Sequence, residues 1–457
     1  MRTHSWTIVA IAGALLWLAA GAAAEDARIE PGEDAELEEL REAAQTEAGT
    51  ESAQTQERPS GAFQALGLAL QALNPQISVS GDLMGYWRQE RGERGAWSFL
   101  VRALEIQLDS YLDPYTKFKA VLAFAPELEA SSEEEGEEEH HHHAHLGALG
   151  HSHGGAELEE IQVTRLAVLP GVNLVAGRFR QRFGTINRWH QHALDEADYP
   201  LPLRAIFGDH GLAQTGLSIE WTLPRLWASY EEITLQITNG ENERLFTGNI
   251  WSVPSGLAHW KNFWDLSKDA HFEIGFSGLL GASQKWTVLT GLPDPETEAV
   301  VESHLAGVVG ADLSLVWEPT GAAKYANVEW RAEGFLAWKE VLAPTRETET
   351  IRAWGAFTSL TARVSRTFSV GIRADFFKPD GKNWAWTEIG ETLAPLAATH
   401  DTAWRGLASV HVTWQESEFV KVRLEYDYAD GHRMGEPEHT LMLSLIFEAG
   451  PHRHEKY

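Results

Sequence analysis

The chain has 457 residues, no cysteine, and a formal net charge of −29 from 66 acidic and 37 basic side chains. The lack of cysteine excludes disulfides, thiolate metal sites and a cysteine nucleophile. The acidic balance argues against nucleic acid as a partner, because phosphate binding needs a basic surface, and it favours cations near exposed loops.

The N-terminus has the pattern of a secretory signal peptide. Arg2 and His4 precede an apolar run, and the alanines at 22–24 offer a cleavage site before Glu25. We expect residues 1–24 to be removed, and we interpret residues 25–73 as an acidic, mostly disordered periplasmic lead-in. No later stretch reaches the roughly 18 uninterrupted apolar residues of a membrane helix.

From Gln76 onward, apolar and polar residues alternate, which is the pattern of β-strands. The clearest segment is 420–428, where Val, Leu and Tyr alternate with Lys, Arg, Glu and Asp. We count about sixteen such segments, or fourteen if one hairpin is lost. The predicted spans are 76–89, 97–111, 117–126, 157–169, 172–183, 212–222, 230–238, 258–265, 270–280, 303–317, 325–340, 350–364, 367–377, 399–415, 418–429 and 438–448.

The connections between these segments alternate between short and long. Short links follow the even-numbered strands, whereas most of the long ones, including 127–156 and 184–211, follow odd-numbered strands. Short periplasmic turns, long outer loops and an even strand number are typical of bacterial outer-membrane barrels. We therefore predict an all-β, transmembrane antiparallel β-barrel over residues 74–457, in the outer membrane of a Gram-negative bacterium, with both termini periplasmic.

The outer loop at 127–156 combines a run of glutamates with a histidine tract. Imidazole and carboxylate are ligands of zinc, and also of copper and nickel, and imidazole binds metal only when deprotonated, so capture should weaken below about pH 6.5. The Gly-rich spacing favours a flexible metal collector over a preorganised site. The alternative is a solvated loop that binds metal incidentally. The candidate ligands are His140, His141, His142, His143, His145, His151 and His153.

A second group of histidines follows the fifth predicted strand. His190, His192 and His210 occur with Asp195, Asp198 and Asp209 in the long loop 184–211 and its edge. These side chains form either a second, better-ordered metal site or the constriction of a pore. Histidine and aspartate also serve as ordinary hydrogen-bonding residues in such loops.

Two sets of charged residues are candidates for lining the lumen. The fifth predicted strand carries arginines at every second position, opposite Val175 and Phe179, and the eleventh carries an arginine between two glutamates. Rings of arginine select anions or hold a constricting loop by pairing with carboxylates, and mutual pairing is the simpler explanation. The predicted pore-lining residues are Arg178, Arg180, Arg182, Glu329, Arg331 and Glu333.

Motifs of the common enzyme classes are absent from the sequence. It contains no Gly-x-Ser-x-Gly elbow, no phosphate-binding Gly-Lys-Ser/Thr loop and no His-Glu-x-x-His. We expect neither catalysis nor a cofactor, apart from zinc or another divalent metal as the bound or transported ion.

Several short motifs resemble those of one bacterial family. They are the opening at 74–83, the run GRFRQRFG at 177–184, the segment GDHGL at 208–212, KNFWDL at 261–266 and the closing residues 450–457. Together they resemble an outer-membrane porin-like family that is distantly similar to the phosphate-selective porins. Its members often carry a His-rich loop and are often labelled zinc-regulated or metal-associated. The resemblance implies a pore-type barrel with a link to zinc.

The sequence thus predicts an outer-membrane channel for divalent metal, most of all zinc. The alternatives are a general or anion-preferring porin with an incidental histidine tract, and a surface protein with a closed lumen. A receptor with a globular plug needs about 22 strands, for which this chain is too short. Expected partners are outer-membrane lipid, divalent metal ions and the barrel-assembly machinery, with a homotrimer as a possibility drawn from porin relatives.

Overall fold

The computed structural model describes residues 76–89, 94–125, 155–246, 253–288, 296–323, 325–342, 348–380, 404–431 and 437–450. All of them belong to one compact unit, Pro75–Tyr457. The signal peptide, the lead-in, the histidine tract and the C-terminal tail lie outside the described residues, so what the sequence predicts of them stays a prediction.

The described residues form sixteen antiparallel strands that close into one barrel, in which β1 pairs with β16. The seam runs in register from Val79 opposite Ala449 to Gln89 opposite His439. The predicted sixteen-stranded barrel is confirmed, and the fourteen-stranded alternative is wrong. The strands are β1 Gln76–Gln89, β2 Ala96–Asp113, β3 Thr116–Ala125, β4 Gly155–Leu169, β5 Val172–Arg180, β6 Ala213–Thr222, β7 Tyr230–Thr238, β8 Val253–Ser267, β9 Ala270–Val288, β10 Glu296–Trp317, β11 Asn327–Leu342, β12 Thr348–Arg363, β13 Phe368–Asp380, β14 Arg405–Gln415, β15 Val420–Gly431 and β16 Glu438–Ala449.

Side chains alternate between the inside and the outside of the barrel, as the period of two requires. On β15, Arg423 and Glu425 are 2% and 1% exposed, whereas Leu424 between them is 49% exposed. The inner face of this strand is charged and its outer face is apolar. Leucines that are half exposed or more, such as Leu217 and Leu280, extend the apolar outer face around the barrel.

Several strands differ in length from their predicted spans. β9 ends at Val288 instead of the predicted residue 280, and β10 begins at Glu296 instead of residue 303, because the hairpin between them continues further than predicted. β5 is shorter than predicted, since it ends at Arg180 instead of continuing to residue 183. β4 begins at Gly155, so the outer loop that carries the histidine tract is two residues shorter at this end than predicted.

Helical structure is sparse in the described part of the chain. Two single 3-10 turns, Ile186–Arg188 and Gln191–Ala193, precede helix α1, Leu201–Phe207, and helix α2 is the short piece Glu243–Phe246. No helix among the described residues is long and apolar enough to cross a membrane.

The long connection between β5 and β6 folds into the barrel. We call residues 181–212 the infolded loop. Its two ends meet where the N–H of Gln181 donates to the carbonyl of Leu212 at 2.9 Å. Its residues are mostly buried, including Tyr199 and Leu203 at 1% exposed or less. A loop on the outside of the barrel would be exposed, so this burial places the loop in the lumen.

An apolar cluster fills part of the lumen. It joins the infolded loop to inward-facing residues of β8 to β13, with Leu245 and Phe246 of α2. The charged inner faces of strands such as β15 indicate a polar lumen, but on this side the infolded loop covers an apolar part of the wall and keeps water away from it. The wall residues of the cluster are Leu257, Leu279, Ala306, Val308, Phe335, Ala337, Ile351, Ala353, Phe357 and Phe377.

Candidate functional site in the barrel lumen

Carboxylates on the barrel wall accept hydrogen bonds from the main chain of the infolded loop. Oε1 of Glu333 accepts the N–H groups of Thr185 and Ile186 at 2.8 and 2.9 Å. Oδ2 of Asp375 accepts the N–H of Leu201 at 2.9 Å. A buried N–H without an acceptor is costly, so these wall residues fix where the loop lies.

Basic side chains on the wall bind the carbonyl groups of the same loop. Arg423 donates to the carbonyl of Leu194 at 3.0 Å, and Arg373 donates to that of Asp198 at 2.7 Å. Lys421 donates to the carbonyl of His192 at 2.8 Å. Because β11, β13 and β15 hold the backbone of the loop at several points, its position in the lumen is determined by the wall.

Arg331 connects three groups at the centre of this network. Its guanidinium pairs with Glu329 on the same strand and with Asp195 of the loop at 3.2 Å, and it lies 4.2 Å from the ring centroid of Trp189. A guanidinium over an indole face is attracted by the ring quadrupole. Of the predicted pore-lining residues on β11, Glu333 and Arg331 therefore hold the loop, and Glu329 pairs with Arg331.

On the wall formed by β2 and β4, two histidines of the infolded loop meet three glutamates. Nδ1 of His190 lies 2.9 Å from Oε2 of Glu159 and 3.5 Å from Oε2 of Glu105. Nε2 of His190 lies 3.6 Å from Oε2 of Glu160, and Nδ1 of His192 lies 3.0 Å from Oε1 of Glu105. We call these five residues the His/Glu cluster. His190, His192, Glu105 and Glu160 are each 8% exposed or less.

A β-bulge brings two consecutive glutamates of β4 to this cluster. Opposite β4, Val121 pairs with Glu160 while Leu122 pairs with Leu158, so Glu159 is an extra residue without a partner on β3. In a regular strand, neighbouring side chains point to opposite faces. The extra residue interrupts that alternation, and both carboxylates reach the lumen.

Basic residues balance part of the negative charge of the cluster. Arg180 pairs with Glu159 at 3.0 Å, and Lys119 pairs with Glu160 at 2.6 Å. His190 lies in the infolded loop. Its burial and the neighbouring charge of Arg180 act to lower its pKa. The neighbouring carboxylates of Glu159 and Glu160 outweigh them and raise that pKa to about 9. Without a metal ion, His190 is therefore a cation at neutral pH and ties the loop to β4.

The three predicted arginines of the fifth strand go to three separate partners. Arg178 pairs with Glu241 at 2.6 Å, Arg180 with Glu159, and Arg182 with Glu220 at 2.8 Å. They do not form one arginine face opposite an apolar one. Val175 and Phe179 are buried and line the same cavity as Arg180 and Arg182, so this apolar face of β5 lies toward the lumen and not toward lipid.

The remaining predicted loop residues lie apart from the His/Glu cluster. His210 is exposed, and its carbonyl accepts a hydrogen bond from Arg180 at 2.9 Å. Asp198 lies 3.4 Å from Arg102, and Asp195 pairs with Arg331. The structure thus brings His190 and His192 together and separates them from His210 and the aspartates. The predicted ligands of the histidine tract, His140 to His153, lie outside the described residues.

In the described part of the chain, two polar cavities lie between the infolded loop and the wall. One of about 300 Å³ lies against β4 to β7, and Arg188 of the loop lines it together with Arg180, Arg182, Glu160 and Glu220. Among the described residues, no carboxylate lies within ion-pair distance of Arg188. The other cavity, of about 340 Å³, is bordered by Leu194 and Asp195 of the loop and by residues of β12 to β16.

Comparisons with known proteins support the fold. The chain resembles OprB of Pseudomonas putida, with a TM-score of 0.50 and 10% identity over 85% of this chain and 96% of that one. It also resembles the outer membrane channel DcaP of Acinetobacter baumannii, with a TM-score of 0.50 and 8% identity over 82% and 98% of the two chains. These likenesses show a shared fold.

Sequence comparison reaches less far. No family model matches the chain. A stretch of 134 residues is 29% identical to an uncharacterized protein of Aquifex aeolicus (strain VF5), which is 28% of this chain and 28% of that protein. The chain thus matches less than a third of this curated relative. The resemblance to a zinc-associated porin-like family stays a prediction.

The sequence indicates the two histidines of the cluster but none of its glutamates. Glu105 lies on β2 and Glu159 and Glu160 lie on β4, far from His190 along the chain, and no local motif connects them. One signal was present. Two consecutive acidic residues in a strand break the alternation of faces, which is what a bulge produces.

Proposed function

We propose that this protein is an outer-membrane channel for small hydrophilic solutes and that divalent metal ions, zinc above all, are among the solutes it takes up. The observation that carries the channel is a closed barrel with an apolar outer face and charged residues inside. Such a barrel leaves no unpaired strand edge, and its outer face is compatible with lipid. The infolded loop narrows the lumen, and the polar cavities beside it give water and ions a place to reside.

The choice of metal is supported by chemistry at two levels. The sequence carries a histidine and glutamate tract in a loop that the strand order assigns to the long-loop end, and the whole chain is strongly acidic. The lumen contains histidines beside glutamates. Nitrogen and oxygen ligands of this kind favour borderline divalent ions. The tract would raise the metal concentration at the mouth, and diffusion would carry the ion inward.

Zinc titration of the refolded barrel by calorimetry tests the metal part of the proposal. The full chain is compared with a variant that lacks residues 131–154, at pH 7.4 and at pH 5.5. Binding that is reduced by the deletion and weaker at pH 5.5 supports the tract as collector, because protonated imidazole does not bind metal. The absence of zinc binding in both proteins would refute the metal part and leave a general channel.

Conductance in a planar bilayer tests the channel part separately. We expect small, ohmic steps that grow when the infolded loop is shortened. A protein that inserts into the bilayer without conductance, with and without the loop, would instead be a surface protein with a closed lumen.

A general or anion-preferring porin is the second candidate, and Arg188 is the observation that favours it. This guanidinium lines a polar cavity with two other arginines, and among the described residues it has no ion-paired carboxylate. Rings of arginine can select anions. The reversal potential in a potassium chloride gradient separates the two candidates, since Arg188→Gln should shift selectivity toward cations only if Arg188 contributes an anion filter.

The expected partners remain part of the proposal. Outer-membrane lipid is supported by the apolar outer face, and assembly by the barrel-assembly machinery follows from the predicted export and strand pattern. Cross-linking in intact membranes tests the homotrimer predicted from porin relatives.

A further inference from the structure

We infer that the His/Glu cluster is a divalent metal site inside the barrel, with Glu105, Glu159 and His190 as ligands and His192 held beside them by the other oxygen of Glu105. It would take zinc or a similar borderline ion. This inference rests on the proposed metal function for its biological sense, but the site itself is argued from geometry. It differs from the histidine tract in lying on described residues in the lumen.

The distances within the cluster match what a small cation requires. Four ligands at about 2.0–2.1 Å from a tetrahedral zinc ion lie about 3.3 Å from one another. Nδ1 of His190 lies 2.9 Å from Oε2 of Glu159 and 3.5 Å from Oε2 of Glu105, whereas Nδ1 of His192 lies 3.0 Å from Oε1, the other oxygen of Glu105. One ligand atom from each of Glu105, Glu159 and His190 lies within 4.8 Å of the others. Small side-chain shifts would therefore suffice to admit the ion.

The second nitrogen of His190 provides an independent argument. His190 is 8% exposed, and its Nε2 forms no hydrogen bond among the described residues. Oε2 of Glu160 lies 3.6 Å from that nitrogen. Metal-bound histidines usually direct the second ring nitrogen at a carboxylate, which fixes the ring and makes it a better ligand. The arrangement of Glu159, His190 and Glu160 has this order of groups.

The cluster carries more carboxylates than basic side chains, which favours a bound cation. Arg180 and Lys119 balance Glu159 and Glu160. Glu105 lies beside His190 and His192, and its ion-pair partners among the described residues are these two imidazoles. Three carboxylates therefore face two permanently basic side chains, and a bound cation would complete the charge balance.

The site also joins two parts of the molecule. Glu105 and Glu159 belong to the wall, on β2 and β4, whereas His190 and His192 belong to the infolded loop. A bound ion would therefore hold the loop against this wall, opposite the apolar cluster. An arrangement that only anchors the loop through ion pairs predicts the same contacts but no metal affinity, so metal binding decides between them.

Zinc-soaked crystals of the full chain test the position directly. The expected result is an anomalous difference peak at the zinc edge between Glu105, Glu159 and His190, absent in crystals of Glu105→Gln. A full-occupancy peak elsewhere, with none at the cluster, would overturn the site. Because the measurement is position-specific, zinc held by the histidine tract does not interfere with it.

Calorimetry measures the affinity in a full-length background in which the seven tract histidines are asparagines. We expect one zinc per chain, lost in His190→Asn and retained in the matched control His210→Asn, which changes an exposed histidine outside the cluster. Glu160→Gln should weaken binding about 10- to 100-fold without abolishing it. Glu105→Asp keeps a carboxylate and should retain binding, which guards against a variant that simply fails to fold. Equal binding in His190→Asn and His210→Asn would overturn the site.

A zinc flux assay in liposomes separates this inference from the proposed function. If the cluster binds zinc but the protein shows no zinc flux, the metal site is supported and the proposed zinc channel is refuted. Zinc flux that is undiminished in a protein with no binding at the cluster would overturn the site and leave the channel.

Discussion

The side-chain amide of Asn187 binds both main-chain groups of Leu212. The N–H of Leu212 donates to Oδ1 of Asn187 at 2.7 Å, and Nδ2 of Asn187 donates to the carbonyl of Leu212 at 3.0 Å. The same Nδ2 also donates to the carbonyl of Gln181 at 2.8 Å. One side chain thus closes the base of the infolded loop, where the chain leaves β5 and returns to β6.

Asn187→Ala should loosen the infolded loop while the barrel stays intact. Asn187 is fully buried, and the change leaves the N–H of Leu212 without its acceptor, at about 1–3 kcal/mol for a buried group, while the carbonyls of Leu212 and Gln181 keep one donor each. Hydrogen exchange measured by mass spectrometry should accelerate over residues 181–212. The control is Asn173→Ala, which removes a hydrogen bond to Ala167 far from the loop. Equal exchange in both variants would contradict the prediction.

Glu333→Ala should release the first turn of the infolded loop. The carboxylate accepts two buried N–H groups, from Thr185 and Ile186, and the change leaves both without it. We expect a larger single-channel conductance and faster exchange at residues 184–190. Glu318→Ala changes an exposed glutamate in the turn after β10 and should leave both measurements unchanged.

Gly184 allows the close approach of the loop to Glu333. Its φ is +61°, and a Cβ at this position would lie 2.3 Å from Oε2 of Glu333. Gly184→Ala should therefore displace the loop in the same direction as Glu333→Ala, because it adds both backbone strain and a steric conflict. If conductance and exchange stay at wild-type values, Gly184 is not required for docking.

Leu203→Ala should weaken docking of the loop through the apolar cluster. Leu203 lies on α1 and is fully buried, and such truncations cost about 2–5 kcal/mol. Limited proteolysis should cut within residues 190–210, while the barrel wall, which does not contain this residue, stays resistant. Leu226→Ala is the matched control, since Leu226 is 69% exposed. Cleavage that also removes the strands would mean that the loop supports the wall.

The strand order makes a topological prediction about the histidine tract. A short epitope inserted after Gly147, in the connection between β3 and β4, should be labelled on intact cells because the long-loop end faces outward. An epitope in residues 318–323, in the short-turn end between β10 and β11, should be labelled only after the outer membrane is disrupted. The reverse pattern would invert the barrel in the membrane.

The barrel was predictable because alternation is a local signal. On β15 each inward charge and each outward apolar residue occupies its own position in the sequence, and β1 and β7 have their predicted bounds. The extra length of β9 and β10 was not predictable from that signal. Their ends continue as hydrogen-bonded hairpin where the predicted two-sided pattern stops, and backbone pairing needs no apolar face there.

The interior was less predictable than the wall. The sequence indicates His190 and His192 as candidate ligands. Whether Glu105 lies beside them depends on the register of the strands, which the alternation of apolar and polar residues does not determine. β8 to β13 carry apolar residues on their inner face, such as Phe335 and Phe357. Nothing in the local sequence shows that the infolded loop covers them. Burial by a distant segment is a tertiary effect without a local sequence pattern.

The anchors of the infolded loop have a consequence for the order in which the protein assembles. Ala197 donates its N–H to Glu425, 228 positions later in the chain, and Leu201 donates to Asp375, 174 positions later. Contacts this distant in sequence form late, because the long intervening segment must first be ordered. The infolded loop can therefore dock only after β13 and β15 have joined the barrel. Until then, an intermediate in assembly exposes the apolar residues of the loop.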